Sequence, residues 1–390
     1  MPVVRIVVVG GGIGGLTTAL ALLRAGHEVR VVERAGGFGE IGAGVQTGPN
    51  ATRVLRHLGL ADALEPVAVV PVATRFLRWD DDAVLTEWPL AENVEKRFGA
   101  PYHTLYRPDL IAALAGALPP GVVGFGRPVT AVESWETEPV VRFADGSAET
   151  ADVVVGADGI HSAVRKATVP ETAARFSRMC AYRALVPADA LPSRGEPVVR
   201  AWLGPNRHLV AYPVGRGGRY VNLVCVVPAA GWSAESWTAP GSVAELRAQF
   251  EGWSPRLTEL LDAVREPVYR WGLYDREPLS RWSTPSTTLV GDACHPMLPF
   301  LAQGAAQAIE DAVVLARSLT GDRAAGLAAY EAERLPHTAL IQRQSWANNV
   351  RFHLPDGPGQ RERDAAMTSG EIMSLDALSP VLGHDAVTGE

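Results

Sequence analysis

Two groups of residues in this sequence have types and spacings that could do chemistry. Gly10, Gly12 and Gly15 form a GxGxxG turn that encloses Ile13 and Gly14. Such a turn lets backbone N–H groups approach a pyrophosphate, and the N-terminus of the helix that follows stabilises the anion. Glu33, with Arg34 beside it, ends the next strand-like run, where a carboxylate accepts hydrogen bonds from the ribose hydroxyls of an adenosine. Its charge disfavours a ribose phosphate at that site without deciding between NADH and NADPH as a passing reductant. The second group is His208 and Tyr212, whose even separation puts both side chains on one face of a strand. An imidazole that titrates near neutrality can take a phenolic proton and make an aromatic ring electron-rich, and a half-buried structural pair is the alternative.

The glycine turn lies in VRIVVVGGGIGGLTTALALLRAGHEVRVVERA: an apolar strand, the turn, a helix with Leu16, Ala19, Leu20 and Leu23 at helical spacing, Gly26 placed to close it, and a second strand. That is a βαβ unit. ADVVVGADG, from Ala151, and TTLVGDA, from Thr287, repeat one pattern of apolar strand, glycine and acid, and are predicted to be parallel strands delivering Asp158 and Asp292 to one edge of the sheet. Between them, HLVAYPV and RYVNLVCVV, separated by GRGG, predict antiparallel hairpins. Residues 302–319 and 324–350 read as helices, and the tail after Pro355 is rich in Pro, Gly and charge. Free N–H groups near Gly304 and Ala305, at the start of the first of these helices, can face an anion. The expected fold class is therefore α/β: a Rossmann-like dinucleotide-binding domain of residues 1–75, 101–178 and 276–320, an inserted antiparallel β-sheet domain of residues 76–100 and 179–275, and C-terminal helices in residues 321–390.

With 390 residues, 47% hydrophobic and 20% charged, the chain is long enough and apolar enough for two packed domains. A net charge of −7 excludes the electrostatic footprint of a nucleic-acid or anionic-membrane partner. Cys180, Cys225 and Cys294 are far apart with no CxxC spacing, so they read as packed small hydrophobes in a reducing compartment. The apolar run from Val3 to Val9 leads directly into glycines and has no cleavage signal, and no stretch is long enough to span a bilayer. The expectation is a cytoplasmic monomer or homodimer with no metal.

Taken in order, these motifs resemble those of the single-component FAD-dependent aromatic hydroxylases, the group containing p-hydroxybenzoate and salicylate hydroxylases, over nearly the whole chain. VVVGADGIHSAVRK is similar to that family's DG motif, which implies that Asp158 and nearby backbone serve FAD and reductant, with Arg165 closing the motif. LVGDACHPMLPFLAQGAAQAIEDA is similar to its GD motif, which implies that Asp292 binds the ribityl hydroxyls and that the next loop, with Gly304 and Ala305, passes the flavin ring. An ordinary turn or helix cap is the bland reading of Asp292. The segments EIGAGVQTGPNATRVLRHLGL from Glu40, YRPDL from Tyr106, AYRALVP from Ala181 and FHLPDGPGQRERDA from Phe352 look like the salicylate-hydroxylase-like branch. Membership there implies that Arg107 contacts the flavin cofactor, against a helix-capping or salt-bridging arginine.

In such proteins a His and Tyr at the spacing of His208 and Tyr212 contact ring substituents of hydroxybenzoates or hydroxynicotinates. Arg183 and Trp202 are candidates for the same cavity, with a buried stacking or surface role as the alternative for each. Met297, Leu298 and Phe300 are candidates for its dry wall, and Pro299 is a further candidate for the substrate site. The Pro299–Phe300 pair departs from some hydroxybenzoate-specific relatives, which carry a polar residue and then an aromatic. His295 belongs to the His-Pro step of the GD motif and reads as loop-shaping. The implied reaction uses NADH or NADPH to reduce FAD, then dioxygen to form a flavin hydroperoxide that hydroxylates a small phenolic or N-heteroaromatic acid. The reductant, lacking a second glycine fingerprint, is expected to bind transiently along the DG-motif surface. Rival readings are a same-fold flavin oxidoreductase without oxygen insertion, a monooxygenase acting on a larger aromatic metabolite, and a non-catalytic flavin module. The Trp-x-Trp-x-x-Ile stretch of same-fold halogenases is absent.

Overall fold

Ile6, Val7, Val8 and Val9 have no polar alternation, the pattern of a strand covered on both faces. In the computed structural model, which describes residues 3–39, 43–134, 137–170, 172–192, 195–229 and 239–389, Arg5–Val9 is the middle strand of a five-stranded parallel sheet. The sheet order is Thr287–Leu289, Val153–Gly156, Arg5–Val9, Glu28–Val32, Val123–Gly124. Glu40, Ile41 and Gly42 of the segment quoted above, and residues 230–238 of the expected inserted domain, lie outside the described residues. Val9 pairs with Gly156 and Gly156 with Leu289, so three strands distant in sequence end side by side and their following turns leave one edge together. Crowding at that edge explains two glycines. A Cβ on Gly10, whose φ is +109°, would sit 2.4 Å from the Ala157 carbonyl oxygen, and one on Gly15 would sit 1.9 Å from that of Gly10.

The helix Ile13–Arg24 packs along the helix Gly304–Ser318, and Gly14 permits the approach, since a Cβ there would lie 3.2 Å from the Ala308 methyl. The second of these helices begins at Gly304 rather than at residue 302. Ala302 takes a left-handed φ of 54° and terminates the short 3-10 turn Pro299–Leu301, so the chain turns before it can wind.

An eight-stranded sheet stands beside the parallel one, in the order Ala239–Gly241, Val268–Asp275, Arg175–Pro187, Tyr220–Pro228, Arg207–Val214, Val198–Gly204, Ala73–Arg78, Val84–Pro89. Its pairs are antiparallel except Val198–Gly204 with Ala73–Arg78. Because side chains alternate across a strand, register sorts them into two faces. Arg183, Val224, Val210 and Ala201 form one cross-strand row, and His208 and Tyr212 flank Val210 on the same face. Tyr182, Cys225, Leu209 and Trp202 form the neighbouring row on the other face, under helices Val243–Ala248 and Pro255–Asp262.

The 29-residue helix Arg323–Arg351 crosses behind Gly304–Ser318, and the chain then forms helices Pro358–Thr368 and Ser379–Leu382. The Pro-, Gly- and charge-rich tail is anchored through Met367 and Met373, which are buried with Phe76, Trp88, Phe300 and Phe352. All three cysteines are free and buried. Among the described residues, no helix is long and apolar enough to cross a membrane.

Candidate active site

The shared edge of the parallel sheet and the inner face of the eight-stranded sheet enclose a cavity of about 420 Å³. Gly12, Ile13 and Gly14 line one part, Asp292, Gly304 and Ala305 a second, and Arg183, His208 and Tyr212 a third. Two helices open into it without a capping side chain: Ile13–Arg24, preceded by Gly12, and Gly304–Ser318, preceded by Gln303. Their first N–H groups have no intrahelical partner and suit anionic groups. Gly12 has nothing within 4 Å of where a Cβ would project, so packing within the chain does not require glycine there. Room for a ligand backbone does, and a flavin dinucleotide fits this arrangement. Its pyrophosphate would meet the glycine turn, and its ring would meet the start of Gly304–Ser318.

Asp292 is open to the cavity yet ringed by protein, and desolvation raises its carboxyl from the ordinary range against the pull of His295 and Arg107. A buried network holds its loop. Asp311 Oδ2 accepts from Gly291 N at 2.9 Å and contacts His295 Nε2 at 2.6 Å, while Asp311 Oδ1 accepts from Arg334 Nε at 2.8 Å. Arg334 Nη1 also donates to Glu310 Oε2 at 2.6 Å. Burial pushes both acids up, but Arg334, together with His295 at Asp311 and His384 at Glu310, more than offsets it, bringing each to about 2. They are therefore ionised, and the cluster is a compensated charge group. Arg165, buried in the DG segment, donates to the Ala293 carbonyl at 3.2 Å and ties the two motif loops together.

On the opposite wall, His208 Nδ1 lies 2.7 Å from His353 Nε2, and the rings stack with centroids 4.9 Å apart. Desolvation, with His353 second, holds the His208 pKa well below 6.5, so the imidazole is neutral. Tyr212 is pushed up to about 12 by burial, against Arg183 and a hydrogen bond with Gln46, and remains a phenol that can donate. Its ring needs Gly44 beneath it, since a Cβ there would lie 2.6 Å from Tyr212 Cε2. The Arg183 guanidinium sits 4.6 Å over the Trp271 ring, and among the described residues it makes no salt bridge. A second cavity of about 90 Å³ shares Gln46, His208, Val210, Pro299 and Ala302 with the first and continues past Phe300 toward Phe76 and Trp88.

Of the residues singled out in the sequence, Gly12, Ile13, Gly14, Arg107, Arg183, His208, Tyr212, Asp292, Met297, Pro299, Gly304 and Ala305 line the larger cavity, and Phe300 lines the smaller. Gly10 and Gly15 shape the turn from behind. Trp202 and Leu298 are corrections. Trp202 is fully buried on the far face, its indole N–H donating to Asp82 Oδ1 at 2.6 Å. Leu298 is buried in the core beyond the wall. Asp158 lines neither cavity: its Oδ2 accepts from Ala163 N at 2.7 Å at the start of the short helix Ala163–Thr168, which Ser162 caps. Glu33 also lies outside the cavity and stitches the turn, accepting from Gly11 N at 2.7 Å and Ala35 N at 2.8 Å, while Arg34 is exposed. Sequence reasoning missed Gln46, Trp271, the Asp311–Arg334 pair and His353. Asp311 and His353 lay inside quoted motif segments, but residue type alone did not separate them from their neighbours.

Neutral buried histidines set an acid limit on stability. Desolvation is the largest cause in each case, lowering His103 and His353 to about 4 and His208 well below 6.5. The unfolded chain takes up protons below about pH 6.5 that the folded chain refuses, so this stability is complete above 6.5 and is lost as pH falls toward 4. Each histidine contributes up to about 1.4 kcal/mol per pH unit across that window. Thermal melts between pH 7.5 and 4.5 should show a falling Tm, with a shallower slope in His103→Gln. A level Tm would show that these rings ionise freely in the fold.

Residues 3–345 match the family profile described as FAD binding domain. The chain is 46% identical over 386 residues to a 3-amino-4-hydroxybenzoate 2-monooxygenase of Streptomyces platensis, covering 98% of this chain and 96% of that one. It is 37% identical over 350 residues to a 6-hydroxynicotinate 3-monooxygenase of Pseudomonas fluorescens, covering 88% and 91%. A structure of Klebsiella pneumoniae HpxO complexed with FAD and uric acid superposes with a TM-score of 0.85 at 26% identity over 97% of both chains. The glycine turn, the doubly uncapped cavity and these similarities together make the chain a member of the FAD-binding-domain family and, within it, of the single-component FAD-dependent aromatic hydroxylases.

Proposed function

We propose that this enzyme uses NAD(P)H and dioxygen to hydroxylate a small aromatic acid bearing a phenol and a carboxylate, of the aminohydroxybenzoate or hydroxynicotinate type. The observation that carries the reading is one cavity in which a dinucleotide cradle faces a neutral imidazole and a guanidinium with no carboxylate partner among the described residues. Arg183 lies roughly 7 Å along the strand direction from His208 and two strands, roughly 9–10 Å, across the same face, so the two side chains reach toward each other over the cavity. That offset suits a ring with its phenol at His208 and its carboxylate near Arg183. The compound named for the Streptomyces platensis relative carries those groups on opposite sides of its ring.

Bound FAD would supply the redox chemistry, accepting hydride from the nicotinamide and activating dioxygen for transfer of one oxygen atom to the ring. The chain's residues do the rest. The Gly12–Gly14 turn and Asp292 would hold the cofactor, and the start of Gly304–Ser318 would stabilise negative charge on its ring. His208 takes the phenolic proton and enriches the ring in electrons. Tyr212, aligned by Gln46, donates to a polar substituent. Met297, Pro299, Phe300, Val210 and Val224 exclude water. In this reading residues 1–75, 101–178 and 276–320 form the FAD-binding domain, residues 76–100 and 179–275 the substrate-binding domain, and the enzyme works in the cytoplasm beside its nicotinamide supply.

The test is a panel of hydroxylated benzoates and pyridine carboxylates, measuring substrate-stimulated NAD(P)H oxidation, oxygen uptake and product. At least one acid should couple all three. Arg183→Gln should raise the KM for that acid by roughly 10- to 100-fold, the loss of one charge-assisted hydrogen bond, while leaving a decarboxylated analogue nearly unaffected. NAD(P)H oxidation without product from every acid would overturn the oxygen-insertion reading.

A further inference from the structure

His353 lies 145 residues from His208, just beyond the helix Arg323–Arg351, yet the two rings are in contact. Phe300 and Phe352 surround the pair edge-on, with centroids 5.3 and 5.6 Å from His208, so the contact is dry. The polarity of the chain of hydrogen bonds can be read outward from its end. His353 Nδ1 is 2.6 Å from the Asn349 carbonyl oxygen. A carbonyl only accepts, so Nδ1 carries the hydrogen. In a neutral imidazole the other nitrogen is then a lone pair, and burial keeps His353 neutral, with Arg363, the charged side chain that bears on it, acting in the same direction. That lone pair, Nε2, faces His208 Nδ1, which must donate to it.

From this geometry, and resting on the activity proposed above, we propose that His353 is a positioning residue that fixes His208 in its Nδ1–H tautomer and so leaves His208 Nε2 as the unprotonated nitrogen that receives the substrate's phenolic proton. In that step the substrate O–H bond breaks, its electron pair stays on oxygen, and an Nε2–H bond forms. The His208 Nδ1–H stays in place, and the positive charge that develops on the ring is stabilised by the His353 lone pair. The Asn349 carbonyl holds His353 from the far side, and Asn206 N, donating to the His353 carbonyl at 3.2 Å, ties this segment to the hairpin that carries His208. Without the acceptor at His353, a neutral His208 has no reason to place its hydrogen on Nδ1, and the Nε2–H tautomer cannot act as a base.

The dyad can be tested without any substrate. In FAD-loaded enzyme labelled with ¹⁵N at histidine and held at pH 8, the His208 ring signals, assigned by their loss in His208→Gln, should show a protonated Nδ1 and a bare Nε2. His353→Phe keeps the ring volume and should reverse the pattern, while His353→Gln, whose side-chain carbonyl can stand where Nε2 stood, should restore it. A wild-type Nε2–H tautomer, or an unchanged tautomer in His353→Phe, overturns the proposal. With 3-amino-4-hydroxybenzoate as probe, the phenol-to-phenolate absorbance change of the bound compound should move up by at least one pH unit in His353→Phe. Turnover at neutral pH should fall by about tenfold or more, KM should change little, and the rate should recover at alkaline pH. Reversal of the tautomer with no movement of that titration overturns the positioning role. If wild-type enzyme accepts none of the aromatic acids, the proposed activity fails, and the tautomer measurement still decides the dyad.

Discussion

A His208→Gln enzyme should purify yellow, bind NAD(P)H and lose roughly 10²- to 10⁴-fold in product formation, the usual worth of a positioned general base. The glutamine fills much of the imidazole's volume, so the buried position between Phe300, Phe352 and His353 need not collapse. It cannot accept a proton. The cofactor side of the cavity is built from other elements, the glycine turn and the Asp292 loop, so flavin content should be unchanged. Reduced flavin that has lost its electron-rich target should instead discharge oxygen as peroxide, and the peroxide-to-product ratio is the sensitive readout. The pH dependence has a defined sign. Because desolvation depresses the His208 pKa, the wild-type base stays unprotonated below pH 6.5, and the acid limb of activity should lie lower than that of a free imidazole. Product formation within a few-fold of wild type would remove His208 from the reaction.

Arg334→Met should be the most destabilising single change away from the cavity. The guanidinium, Glu310 and Asp311 are all fully buried, and one cation serves both acids. Methionine replaces much of the side-chain volume but leaves two carboxylates in a dry interior, at a cost of about 3–5 kcal/mol. The pH signature follows. Both acids are held at about 2, so their contribution is present above the unfolded values near 4 and is lost as pH falls through that range toward 2. Without Arg334 they should take up protons at much higher pH, and the variant should be relatively less impaired in mild acid. Asp311 also accepts from Gly291 N and contacts His295, so its displacement loosens the loop carrying Asp292, and FAD should be lost on dialysis. Asp292→Ala gives the contrast: weaker FAD retention with a nearly unchanged apoprotein Tm. A wild-type melting curve for Arg334→Met would show that the two acids are neutral in the fold.

The elements that were legible before the structure share one property: their meaning is local. Gly10 and Gly15 sit where a Cβ would strike a backbone oxygen 2.4 or 1.9 Å away, and only a short strand–turn–helix path creates that crowding. The same local rule put His208 and Tyr212 on one face of one strand. Trp202 shows where the rule stops. It lies on the preceding strand, and parity carries across a hairpin only through the register, which pairs Trp202 with Leu209 rather than with His208. Leu298 failed for a similar reason, since the 3-10 turn that follows sends Pro299 and Phe300 to the cavities and Leu298 to the core. The bonds that Asp158 accepts from Ala163 N and Val164 N were not legible beforehand, because the six-residue helix they begin is too short to announce itself by periodicity.

By itself the sequence determined the parallel sheet, the glycine cradle, the anion-facing N–H groups near Gly304 and Ala305 and the kind of reaction they serve, because each depends on residues close along the chain or on a motif whose parts keep a constant order. The tertiary structure alone decided which strand faces the cavity, which cation answers Asp311, and that a histidine from the C-terminal region stands behind His208. The first is a matter of hairpin register, and the other two are contacts between residues 23 and 145 apart; side chains there are matched by register and burial, and a linear pattern carries no measure of either.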